Sequence, residues 1–354
     1  MYTPVFENSR ALSLELPSPL SRLAQYDAAP FAPELSPENA RSCWTFALHC
    51  AATADNDRPL SGHAPRCVLL IASANVFTAP LEWAWQLSQR GVRVVIKAAR
   101  EHSAVVHALA AELPGVEARE WKGGVDLDPE AQALSEADAV LAFGRDDTLD
   151  TIRQRLRAGT PFCAFGAKFG VAVVDSLDAE TAGAVAADFA LYDGAGCMSP
   201  VGVFARAVDI GAVELAMSRA QARWPRGPVS DHQGVLARRT SLLARANPEP
   251  QFTSVEHPDF SILSMGADYL ADGASPRQMV IYPWKNLTDV AVALFPFREG
   301  LGTVGTQPAL AETLLRLLGP SPRRFCELGR MQTPPASRLY HDGVDVLARL
   351  WAGA

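Results

Sequence analysis

The sequence predicts an α/β protein built on a parallel sheet covered by helices on both faces. Two observations carry this reading. Short, unbroken apolar runs such as Val68–Ala72 and Ala139–Phe143 have the composition of strands buried on both faces. From residue 67 these runs alternate with helical patterns over about a hundred residues, the βαβα rhythm of an open parallel sheet.

The stretch 1–66 is proline-rich and weakly patterned. Apart from a helix around Pro37–Cys50, it reads as a wrapping or partly disordered arm. Val68–Ala72 is then the first strand. Ala79–Arg90 is a helix closing on Gly91, and Val92–Ile96 is the second strand. A helical pattern over 103–113 ends at Pro114-Gly115. Val116–Trp121, Pro129–Glu136 and Ala139–Phe143 continue as strand, helix and strand. Asp147–Leu156 is a helix, with Asp146 or Asp147 as its N-cap, because a carboxylate there accepts an unpaired N–H of the first turn. Pro161–Phe165 and Phe169–Val174 are strands, and Asp178–Tyr192 is a long helix. Beyond it come a strand over Val201–Ala205, helices over Val208–Arg223 and Val235–Ala246, and apolar runs at Gln278–Tyr282 and Val290–Phe295. Pro308–Leu318 is a helix, and the loop-rich end finishes in a short helix, Val344–Trp351.

The chain has 354 residues, 48% hydrophobic and 20% charged, an ordinary balance for a globular protein of two domains or one large α/β unit. A formal net charge of −7 without basic runs argues against a nucleic-acid partner. No apolar run has the length of a membrane span, and no basic region followed by a long apolar run opens the chain. The six cysteines lack CxxC spacing and histidine partners, so no metal site is expected. Reduced thiols in a cytoplasmic setting fit the pattern.

Cys197 draws attention first. It follows Gly194-Ala195-Gly196 and precedes Met198-Ser199-Pro200, so bare backbone surrounds its sulfur and an electrophilic carbonyl can approach. A small buried hydrophobe is the plainer reading of a lone cysteine. The first strand is not followed by GxGxxG but by Ala72-Ser73-Ala74-Asn75-Val76-Phe77, so the usual phosphate cradle is absent. Asn75 lies just past a parallel strand end, where its amide could donate to an oxyanion; an ordinary turn asparagine would look the same. Lys97 ends the second strand, placed for a ribose hydroxyl or a 2′-phosphate, or simply solvated. No acidic residue stands at that strand end, which favours NADP over NAD. Lys168 sits in the small-residue loop Phe165-Gly166-Ala167-Lys168, where backbone can approach a ligand or make a tight turn.

These pieces, in order, resemble the acyl-CoA reductases of the LuxC type, within the aldehyde dehydrogenase superfamily. The resemblance runs over residues 65–354. It rests on Ser73-Ala74-Asn75-Val76-Phe77-Thr78-Ala79-Pro80-Leu81-Glu82-Trp83, Val94-Val95-Ile96-Lys97, Phe143-Gly144-Arg145-Asp146-Asp147-Thr148 and Gly166-Ala167-Lys168-Phe169-Gly170. Asp193-Gly194-Ala195-Gly196-Cys197-Met198-Ser199-Pro200 resembles the nucleophile segment. Gly329-Arg330-Met331-Gln332-Thr333-Pro334-Pro335 with His341-Asp342-Gly343 resembles the C-terminal signature. Phe77 stands where the family pattern has proline, Gly194 where it has glutamine, and the part before the first strand is shorter than the pattern.

The resemblance implies an aldehyde dehydrogenase-like fold: a Rossmann-type parallel-sheet cofactor domain over 67–192 and an α/β catalytic domain over 193–320. An arm over 1–66 would precede them, and the segment 321–354 would return to the cofactor domain. It implies reduction of an acyl thioester, acyl-CoA or carrier-bound, to an aldehyde, with Cys197 as nucleophile and Asn75 as oxyanion donor. NADPH is the implied cofactor, with NADH open, held by Lys97, Ser73, Gly144, Gly166, Lys168 and Glu299. His232 and His341 are candidate bases that read more simply as structural. Relatives that hydrolyse their acyl-enzyme carry a glutamate where this chain has Ala164, so the acyl group is expected to leave by reduction. A homodimer and an acyl-transferring partner enzyme are also implied. A CoA-acylating dehydrogenase running in the oxidative direction, and a non-catalytic cofactor-binding subunit, remain the alternatives.

Overall fold

The computed structural model describes residues 15–53, 59–272, 275–319, 324–332, 340–341 and 344–352. Two compact units divide the chain. One comprises Leu14–Pro33, Ala40–Ala167 and Pro335–Ala354; the other comprises Met1–Ser13, Glu34–Asn39 and Lys168–Pro334.

The first unit is built on five parallel strands: β1 (Cys67–Ile71), β2 (Arg93–Lys97), β3 (Val116–Arg119), β4 (Ala139–Phe143) and β5 (Phe162–Phe165), in the order β3-β2-β1-β4-β5. All pairs are parallel, as the unbroken apolar runs predict. Leu69, Val95 and Val140 enter one core with Leu134, Leu149 and Ile152. Val68, Leu70, Ile96 and Leu141 are also fully buried, so both faces are covered. The chain winds outward from β1 to β3 and then returns to β4, so strand order reverses between β1 and β4. Ligands of open α/β sheets bind beyond the carboxyl ends of strands at such a point.

The second unit holds seven strands: β6 (Phe169–Leu177), β7 (Pro200–Val208), β8 (Val255–Glu256), β9 (Ser261–Ser264), β10 (Gln278–Pro283), β11 (Leu301–Thr306) and β12 (Arg324–Cys326). Their order is β12-β11-β6-β7-β10-β9-β8. All pairs are parallel except β8 with β9. Val171, Phe204, Val280, Val290, Val304 and Leu314 lie in one core.

Four expectations need correction. The boundary expected at 192/193 falls inside the second unit, because β6 pairs with β7 and β11 and the helix Ala179–Ala190 belongs with them. The expected return of 321–354 splits as well. β12 pairs with β11, whereas Pro335–Ala354 groups with the first sheet, where Cys163 Sγ lies 3.9 Å from the Val346 carbonyl oxygen. The described part of the arm holds helices at Ser18–Leu23, Ala29–Phe31 and Pro37–Ala52: Leu20, Leu23 and Trp44 are buried, and Trp44 Nε1 donates to the Leu23 carbonyl at 3.0 Å. Finally, Arg145 precedes the helix Asp146–Arg155 and no side chain caps it. Asp147 sits in the first turn, paired with Arg145 at 2.7 Å.

Candidate active site

Five of the candidate residues gather at the carboxyl edge of the five-stranded sheet. Ser73 and Asn75 follow β1, Lys97 ends β2, Gly144 follows β4 and Gly166 follows β5. Asn75 is exposed and Ser73 half-exposed. Burial pushes the Lys97 ammonium below its ordinary pKa, with Glu130 and Glu101 pulling it back up. Gly144 N–H donates to the Phe165 carbonyl at 3.1 Å, tying the turns after β4 and β5 together. A Cβ on Gly144 would meet only Thr148, at 4.0 Å, so this turn is open to a close ligand. Ala164 lies on β5 opposite Ala142, and no carboxylate stands in that pair. Phe77 is fully buried, its ring 6.4 Å from Trp44 and 6.1 Å from His102, so the departure from proline is a packing choice.

The remaining candidates, Cys197, Lys168 and Glu299, belong to the seven-stranded unit. The helix Ala179–Ala190 ends two residues earlier than its sequence pattern. Tyr192 and Asp193 then adopt left-handed conformations with φ of 55° and 51°, followed by Gly194 at 76°. Such backbone costs a non-glycine residue about 1–3 kcal/mol and persists only where its surroundings hold it. Here the buried Asp193 carboxylate does so. Arg277 Nε donates to its Oδ1 at 2.7 Å, Asn39 Nδ2 donates to the same oxygen at 3.1 Å, and Gly227 N–H donates to Oδ2 at 2.8 Å. Arg277 also donates to the Trp224 carbonyl.

Out of this bend the chain enters a tight turn, Gly196 to Ser199, closed by Ser199 N–H donating to the Gly196 carbonyl at 2.9 Å. Cys197 occupies its second position and is half-exposed. The turn is pinned to β6 by Gly170 N–H, which donates to the Ser199 carbonyl at 3.1 Å. A Cβ on Gly170 would lie 2.8 Å from both the Met198 and Ser199 carbonyl oxygens, so only glycine permits this approach. Other thiols are less suited to reaction. Burial pushes Cys163 up to about 11 and Cys326 up to about 12, and raises Cys67 as well.

Lys168 Nζ donates to the Glu299 main-chain carbonyl, which joins these two candidates but leaves the Glu299 carboxylate 92% exposed. His341 packs its ring edge-on against Phe165 at 4.4 Å and against Phe143 at 5.5 Å, a packing role. His232 is exposed in the first turn of the helix Asp231–Arg245. Asp342, Gly343 and Thr333-Pro334-Pro335 lie outside the described residues.

Sequence reasoning missed two acids. In the sequence Asp193 stands out only as part of the nucleophile-segment motif, and its partner Arg277 only as a lone arginine ahead of the apolar run of β10. Asp188 was the other, a carboxylate near the C-terminal end of the alanine-rich helix Ala179–Ala190. It is buried, and accepts Gly329 N–H at 2.7 Å and Met331 N–H at 3.0 Å. Burial raises its pKa from 3.8 to about 7, the two N–H donors pulling it back down. The folded chain therefore holds this proton more tightly than the unfolded chain. Its contribution to stability is present in full below about pH 4 and is lost as pH rises through about 7. Asp188→Asn, neutral throughout, is expected to flatten the fall in stability across that window, read from urea midpoints at a series of pH values.

A parallel sheet with candidate ligand residues at its switch point, and a second α/β unit presenting a cysteine in a glycine turn, define the aldehyde dehydrogenase fold. Solved structures agree. A lactaldehyde dehydrogenase matches with a TM-score of 0.63 at 14% identity, over 92% of this chain and 79% of that one. An aldehyde dehydrogenase from Brucella melitensis biovar abortus 2308 matches with a TM-score of 0.64 at 11% identity, over 90% and 78%. An NADP-dependent glyceraldehyde-3-phosphate dehydrogenase from Bacillus halodurans C-125, solved with NADP, matches with a TM-score of 0.60 at 15% identity, over 88% and 75%. The acyl-CoA reductase (LuxC) family model matches residues 86–352, and the chain belongs to that family of aldehyde-forming oxidoreductases. No curated protein matches the sequence. Among the described residues no helix is long and apolar enough to cross a membrane.

Proposed function

We propose that this chain reduces an acyl thioester, as acyl-CoA or carrier-bound, to an aldehyde through an acyl-Cys197 intermediate, using NADPH. The observation that carries the reading is the partly exposed Cys197 in its closed turn, whereas Cys43, Cys50, Cys67 and Cys163 are buried.

Cys197, as thiolate, attacks the thioester carbonyl. The Cys197 N–H donates to the oxyanion, and the family resemblance assigns the Asn75 amide as a further donor. The tetrahedral species expels the CoA or carrier thiolate, which takes up a proton, and leaves the acyl group on Cys197. A bound nicotinamide cofactor would supply a hydride, which together with a proton from solvent converts this thioester to a thiohemiacetal. Collapse of the thiohemiacetal breaks the C–S bond, frees the aldehyde and returns the Cys197 thiol. Ala164 offers no carboxylate to activate water, so the acyl-enzyme survives until reduction.

The open carboxyl edge fits a dinucleotide. Lys97, a desolvated cation at the end of β2, suits a ribose hydroxyl or 2′-phosphate, and the Gly144 turn leaves room for close backbone approach. Ser73 and Gly166 flank the same edge, and for Lys168 and Glu299, in the seven-stranded unit, a cofactor role rests on the family resemblance. The test is to incubate the protein with NADPH or NADH and acyl-CoAs of several lengths, following absorbance at the reduced nicotinamide and aldehyde formation. Aldehyde formed in step with NADPH oxidation supports the reading. CoA release beyond one equivalent per chain, with free acid and without cofactor oxidation, would mean hydrolysis and would refute it.

A further inference from the structure

The signature Gly329-Arg330-Met331-Gln332 has no role in the chemistry above, yet the seven-stranded unit brings it against the nucleophile turn. Gln332 is buried, and its Nε2 donates to the Ser199 hydroxyl at 2.6 Å and to the Asp188 carbonyl at 3.4 Å. Ser199 is fully buried and closes the turn that carries Cys197. All three of its polar groups are engaged: the N–H on Gly196, the carbonyl with Gly170 N–H and the hydroxyl with Gln332.

The segment bearing Gln332 is itself fastened at several points. The two oxygens of the Asp188 carboxylate take the N–H groups of Gly329 and Met331. Arg324, on β12, donates to the Arg330 and Met331 carbonyls at 2.8 Å each and places Nη1 3.5 Å from Met198 Sδ. Met331 is fully buried in space that Gly170 and Gly305 leave, since a Cβ on Gly305 would come within 2.6 Å of its sulfur. Ser199 thus contacts this anchored segment directly, and Met198 contacts Arg324, the side chain that holds the segment.

We propose that Gln332 is a positioning residue for Cys197, acting through the Ser199 hydroxyl to hold the turn that presents the thiol. The proposal rests on Cys197 being the nucleophile. A buried amide donor at 2.6 Å from a buried hydroxyl is a short, directional link. Without it, Ser199 keeps its two backbone bonds but its side chain can rotate, and the turn loses one of its three ties. Misplacement of a reacting group by about 1 Å costs on the order of 100-fold in rate.

The test compares wild type, Gln332→Ala, Ser199→Ala and the double variant in the full chain. The readouts are kcat, KM for acyl-CoA and NADPH, and the rate at which iodoacetamide alkylates Cys197, followed by mass spectrometry. Each single variant is expected to lose about 10- to 100-fold in kcat with both KM values within about twofold of wild type. Alkylation should slow in both. The double variant should lose no more than the worse single variant, because the two side chains act as one link. Wild-type kcat and alkylation in Gln332→Ala, or losses that multiply in the double variant, overturn the proposal. If Gln332→Ala fails to fold, Ser199→Ala decides alone, and wild-type rates in it are the overturning result. Alkylation needs no substrate. A wild-type protein that shows slowed alkylation in the variants but forms no aldehyde refutes the proposed reaction and supports the positioning role.

Discussion

Replacing Cys197 by alanine is expected to lower aldehyde formation from acyl-CoA by at least about three orders of magnitude, leaving the protein folded and able to bind NADPH. On the proposed reaction the loss is large because the Cys197 thiolate is the attacking group. Cys163 and Cys326 are held as thiols by burial, at about 11 and about 12. Serine at 197 would not restore the rate, since its hydroxyl is far less acidic and its oxygen ester accepts hydride less readily than a thioester. The half-exposed position of Cys197 also means the substitution removes little packing. Steady-state kinetics on the variant, with NADPH binding and a thermal melt as controls, check this result.

The second large effect concerns stability. Arg277 and Asp193 form an ion pair with side chains only 1% and 7% exposed. Arg277→Met leaves the Asp193 carboxylate buried with Asn39 and Gly227 N–H as donors but no counter-charge. Removing one partner of such a pair is expected to cost about 3–5 kcal/mol, measured by urea unfolding. Replacing both partners by apolar residues should cost less than Arg277→Met alone, because no charge is then stranded. The same change bears on activity. Asp193 is the residue that keeps the bend Tyr192–Gly194 left-handed, and Cys197 follows that bend. A folded Arg277→Met protein is therefore expected to lose kcat as well as stability.

The first sheet was readable almost strand for strand, because strands buried on both faces must be apolar throughout. Val68–Ala72, Val92–Ile96 and Ala139–Phe143 each lie within one residue of β1, β2 and β4. The seven-stranded sheet was harder. Leu301–Thr306 reads Leu-Gly-Thr-Val-Gly-Thr, without an apolar run, yet every residue of β11 is buried. Its glycines and threonines fill space that larger side chains would need, as the contact of Gly305 with Met331 shows. The apolar run Val290–Phe295 ends the helix Leu287–Leu294 and enters the 3-10 turn Phe295–Phe297, since a short apolar run does not distinguish helix from strand. The boundary between the units was misplaced for a related reason. β6 and its helix continue the βαβ rhythm, and only hydrogen-bond pairing with β7 and β11 assigns them to the other sheet.

Among the candidate residues, the placement of those at strand ends was legible, because apolar runs mark where the strands stop. Ser73, Asn75, Lys97, Gly144 and Gly166 do share one sheet edge. What the sequence could not show was support at long range. Asp193 meets Arg277 across 84 positions, and Gln332 meets Ser199 across 133. Neither spacing carries a local pattern.

The most direct test of the account is to mix the protein with an acyl-CoA in the absence of NADPH, quench, digest and map the acyl group by mass spectrometry. The account predicts one acyl group per chain on the peptide containing Cys197, discharged as aldehyde when NADPH is added. An acyl group on any other cysteine, or discharge as free acid, would contradict it.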